Sequence, residues 1–91
     1  MTDQRQEIEE RLETEFGNWG EGSFMRHGGG FNSNDLRIVF GYIIKETGQN
    51  ILLLKSQKYD ELLYVGNDLN ELITNIKLFR NRQGVKTWVM T

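Results

Sequence analysis

Three apolar runs separated by short polar segments, Leu36 to Lys45, Ile51 to Lys55 and Glu61 to Val65, limit the folds open to this 91-residue chain more than any other feature. The first reads as a strand from its β-branched and aromatic content. Glu46-Thr-Gly-Gln-Asn50 supplies turn chemistry before the second, and Gln57-Lys-Tyr-Asp60 before the third, so the spacing predicts a three-stranded antiparallel meander. Leu36, Ile38, Phe40, Tyr42 and Ile44 alternate onto one face of the first strand. Val39 and Ile43 make its other face partly apolar, the pattern of a central strand.

The flanks read as helices. Residues 3–16 begin at Asp3, a candidate N-cap, and end at Gly17, placed to be the left-handed residue that closes the helix. Ile8, Leu12 and Phe16 recur at i, i+4 and i+8, a narrow stripe that predicts a loosely held element. Residues 68–83 carry a stronger signal. Asp68 stands as N-cap with Glu71 three positions on, and Leu69, Leu72, Ile73, Ile76 and Phe79 form one continuous apolar face. Gly84 reads as the terminator, and the alternation in residues 85–90 predicts a returning strand that ends at Met90. The expected fold is α+β: an antiparallel sheet made of the meander plus a C-terminal strand, with an N-terminal helix and a second helix at about 68–83 packed on one face. No linker or repeat divides the chain, so 1–91 reads as one small domain.

Between the first helix and the first strand lies a segment of unusual composition. Residues 17–34 hold six of the ten glycines together with Trp19, Phe24, Phe31 and the single histidine, His27. Glycine loses the most backbone freedom on ordering, whereas large aromatic groups belong in a core or an interface. The segment is therefore expected to be flexible, either a connector whose aromatics fold back under the first helix or an adaptable binding surface. Residues 22–27 are a candidate short edge strand. Its glycines match neither a phosphate-binding loop nor a dinucleotide fingerprint, and His27 has no sequence companion suited to catalysis. The chain lacks cysteine, which removes disulfides, thiolate metal sites and a cysteine nucleophile. No metal or cofactor is expected.

A net charge of −2 hides an asymmetry. Residues 1–21 carry seven acids against Arg5 and Arg11, while residues 72–91 carry Lys77, Arg80, Arg82 and Lys86 and no acid. Two readings follow. The first is a non-enzymatic protein-binding module, an acidic inhibitor or adaptor-type accessory protein whose partner is itself basic, such as a nucleic-acid-binding protein. Trp19, Phe24, Met25 and Phe31 are its candidate anchors, and Glu9, Glu13, Glu21 and Arg26 its candidate polar contacts. The alternative is a small nucleic-acid-binding protein using the basic segment 77–88, in which Lys77, Arg80, Arg82 and Lys86 meet phosphates and Trp88 stacks on a base. Neither reading involves a membrane, since the charged N-terminus has no secretory pattern and no apolar run spans a bilayer. A cytoplasmic location is the expectation, with monomer and homodimer both open.

Overall fold

The turns between the apolar runs close the predicted meander in the computed structural model, which describes residues 4–43, 45–48 and 50–89. The elements run α1 (Gln4–Phe16), β1 (Met25–His27), β2 (Gly30–Asn32), β3 (Leu36–Ile43), β4 (Asn50–Ser56), β5 (Leu62–Gly66) and α2 (Leu69–Val89). β3 pairs antiparallel with β4, and β4 with β5. The β1–β2 hairpin adds to the other side of β3, so the five strands lie in the sheet in chain order.

Alternation along the strands selects one sheet face as the core face. Phe31 of β2, Leu36 and Ile38 of β3, and Leu52 and Leu54 of β4 are buried there, with Phe40, Leu63 and Tyr64 packed at its margin. α1 contributes Ile8 and Leu12, and α2 contributes Leu72, Ile73, Ile76 and Phe79. The narrow stripe on α1 thus suffices to bury two of its residues almost completely. Gly17 closes α1 as expected, with φ +85° and its N–H donating to the Glu13 carbonyl at 2.9 Å. Asp68 caps α2, its Oδ1 accepting from the Asn70 and Glu71 amides at 2.9 and 3.4 Å. Ser56, only 2% exposed, organises the turn before β5 by accepting from the Tyr59 and Glu61 amides.

Three features differ from the sequence expectation. First, no C-terminal strand forms through Val89: α2 runs on through Gly84. One glycine costs a helix about 1 kcal/mol, a penalty and not a stop, and the sheet position beside β3 is already taken by β2. Second, residues 17–34 contain two strands, of which β1 overlaps the end of the candidate 22–27 strand. β2 approaches β3 so closely that a β-carbon at Gly30 would collide with the Ile38 carbonyl, which explains a glycine inside a strand. Third, β3 ends at Ile43 and its register with β4 shifts between Phe40 and Tyr42, so the simple alternation is interrupted there. Asp3, Ile44 and Met90, and the side chains of Tyr42, Ile43, Lys86 and Trp88, lie outside the described residues.

Candidate functional site

The four candidate anchors divide into two pairs. Phe24 and Phe31 are buried, Phe24 tilted against Phe16 at 5.7 Å between ring centroids and Phe31 stacked on Phe40 at 6.0 Å. Their apolar area stabilises this chain's own core and is not presented to a partner. Trp19 and Met25 remain outside, 85% and 73% exposed. The candidate polar contacts divide in the same way. Arg26 Nη2 donates to Glu9 Oε2 at 2.7 Å, tying β1 to α1, whereas Glu13 and Glu21 are exposed. Glu21, Met25, Arg26 and His27 are brought together along a shallow cleft of about 380 Å³ between β1 and the turns at 20–23 and 32–34.

The basic segment is partly occupied inside the molecule. Lys77 Nζ donates to Glu15 Oε1 at 2.7 Å, and Arg11 Nε to Glu15 Oε2 at 3.1 Å. These two donors, Lys77 foremost, hold the Glu15 carboxyl below the ordinary glutamate value. Arg80 is committed more heavily. Its guanidinium grips Asp35 with two hydrogen bonds of 2.9 Å, reaches Ser33 Oγ at 3.3 Å, and lies over the Phe16 and Phe24 rings at 5.0 and 5.2 Å. Burial by itself raises the Asp35 carboxyl, but the bonds from Arg80 and Ser33 outweigh it and hold Asp35 below its ordinary value. Arg82 is exposed.

The sheet face opposite the helices is the surface that the sequence pattern hinted at without naming. Val39, Leu53 and Val65 stand opposite one another on β3, β4 and β5, an apolar row across three strands. One pleat away, Met25, Asn32, Arg37, Lys55 and Leu62 form a second row across all five. Val65 and Leu62 are 51% and 53% exposed, and neither helix covers this side. Val39 marks the second face of β3 as partly apolar, the pattern of a central strand. β3 is indeed central in strand order, but only one of its faces is covered by the chain.

No known protein family matches this chain, and neither a curated protein nor a solved structure is detectably similar to it.

The acids avoid the strands. None of the thirteen acids falls within a strand; the titratable groups of the sheet are Arg26, His27, Arg37, Lys55 and Tyr64 with Tyr42. Burial raises the Tyr64 hydroxyl above the ordinary tyrosine value, and that hydroxyl joins β5 to the start of α2 by donating to the Asp68 carbonyl at 3.2 Å. Glu7, Glu10 and Glu13 by contrast lie exposed on α1. Among the described residues, no three His, Asp or Glu side chains converge as metal ligands would.

Proposed function

We propose that the protein is a non-enzymatic binding module that acts by occupying the surface of another protein, as an inhibitor or adaptor does. One observation carries the reading: a five-stranded sheet has both helices on one face and leaves uncovered on the other an apolar cross-strand row, half-buried Val39 and Leu53 with exposed Val65. Antiparallel sheets that face water on one side alternate apolar with polar residues, and β4 departs from this by carrying Ile51 and Leu53 on the side away from Leu52 and Leu54. Such a surface becomes stable when a partner dehydrates it. Exposed Trp19 and Met25 add large side chains of the kind that dominate interface energies.

The acidic outer side of α1, with Glu7, Glu10 and Glu13, favours a protein partner over a polyphosphate one and fits the idea of a basic target for that layer. The nucleic-acid alternative loses support because Lys77 and Arg80, half of its cations, are engaged with Glu15 and Asp35. A cytoplasmic setting belongs to the same proposal; among the described residues no helix is long and apolar enough to cross a membrane.

Photo-crosslinking tests the reading. A photoreactive side chain placed at position 65 on the sheet, or at position 10 on α1, is irradiated in extract of the source cells with and without nuclease. A discrete protein adduct that survives nuclease is the expected result. Adducts only to nucleic acid, or none at either position, would overturn it.

A further inference from the structure

We infer that the open sheet face receives an amphipathic, acidic segment of the partner, with its apolar side chains on the Val39, Leu53 and Val65 row and its carboxylates against Arg37 and Lys55. This rests on the protein-binding reading and names the partner's chemistry. The strand pairing sets the two rows side by side: Arg37 precedes Val39 by two residues, Lys55 follows Leu53 by two, and both pairs run to the same edge of the apolar row. Strands are about 4.8 Å apart, so the apolar row spans roughly 10 Å, the width of one helix, and the basic row lies about 7 Å to its side.

Electrostatics chooses the sign of the occupant. Of the strand cations, Arg26 is drawn to the helix side by Glu9, which leaves Arg37 and Lys55 for the open side. Lys55 does hold Asp60 at 3.1 Å, but Asp60 is 83% exposed in the turn beyond the strand, so its carboxylate is exchangeable for one supplied by a partner. No strand acid opposes them. A basic segment would meet like charges with nothing to neutralise them.

A second copy of this chain is a poorer occupant. Its acidic helix, α1, has Ile8 and Leu12 buried in its own core and offers no apolar stripe to lay on the valine and leucine row. A nucleic acid fits poorly for a different reason: the strand cations Arg37 and Lys55 lie beside an apolar row that gives a phosphate backbone no partner. Apolar side chains beside carboxylates on one segment satisfy both rows at once.

The test titrates the full-length ¹⁵N-labelled protein with three probes: a synthetic 18-residue helical peptide bearing leucines flanked by glutamates, the same peptide with lysines for the glutamates, and a 15-nucleotide deoxythymidine oligomer. The glutamate peptide is expected to give saturable amide shifts centred on residues 37, 39, 53, 55 and 65. Arg37→Glu or Lys55→Glu should weaken it by on the order of tenfold each, with the unbound spectrum otherwise intact. Val65→Glu, at an exposed position, should weaken it also. No saturable shifts, shifts confined to the helix side, equal binding of the lysine peptide, preference for the oligonucleotide, or a concentration-dependent dimer that buries the same amides would each overturn the inference. If the sheet face fails in this way while crosslinking from α1 still captures a protein, the binding module stands and only this assignment falls.

Discussion

Arg80 does the most structural work of any single side chain, because it is where α2, the loop after α1 and the turn before β3 meet. Its guanidinium satisfies Asp35 while its flat face covers Phe16 and Phe24, so charge and stacking depend on one group. Arg80→Met keeps the bulk but strands the Asp35 carboxylate, which is about two-thirds shielded from water. The expected loss is about 1–3 kcal/mol in urea unfolding, below the full cost of a broken buried pair because some solvent reaches it. The same contact predicts a pH dependence. The Asp35 carboxyl is held below 3.8 in the folded chain, so its contribution is present above that value and disappears as the pH falls through the lower folded value. The stability gap between the native chain and Asp35→Asn should therefore be widest near neutrality and narrow as the pH drops below about 4, whereas a gap independent of pH would contradict the assignment. Glu15, also depressed, titrates in both proteins and cancels in the comparison.

Among the elements, α2 makes the sharpest prediction. If the helix runs through Gly84, Gly84→Ala removes a flexible interior residue and should raise stability by about 1 kcal/mol with a gain in helical circular dichroism. A Gly84 that terminated the helix in the left-handed conformation would instead lose stability from the change. The elements that sequence reasoning recovered are those with local grammar: Asp68 caps α2, Gly17 closes α1, and a turn that includes Glu46 and Thr47 lies between β3 and β4. Those it missed depend on distant partners. β1 and β2 have three residues each and are strands only because β3 offers an edge, so Phe24 and Phe31 look like exposed anchors until that hairpin and α1 enclose them. Arg80 likewise resembles any basic residue near a helix end. Its partner Asp35 lies 45 residues away, and no spacing rule connects them. The open sheet face was half legible, since Val39 marked the second side of β3 as apolar, but whether anything covers that side is a property of chain topology and not of the strand.

At the scale of the whole molecule, the outer side of α1 carries exposed Glu7, Glu10 and Glu13 whereas the strands carry Arg26, Arg37 and Lys55 and no acid, so α1 and the open sheet face differ in sign as well as in shape. Salt should therefore weaken binding at either face while leaving the core, built from Ile8, Leu12 and the strand and α2 residues, unaffected. The strand order has a kinetic consequence. Because every strand pairs with its neighbour in the chain, the sheet closes through short connections such as those at 28–29, 33–35 and 57–61 and never has to bring remote segments together. Loop-closure entropy is correspondingly small, which favours rapid folding for a sheet-rich chain. α1 is the exception, for it is held in its core position by residues that range from Phe24 and Arg26 to Lys77. Leu12→Ala should accordingly destabilise the protein by about 2–4 kcal/mol and, in stopped-flow kinetics, express that loss almost wholly as faster unfolding. Because α1 is made first and packs on strands made after it, Ile8 and Leu12 have no core to enter in the nascent chain until those strands have emerged.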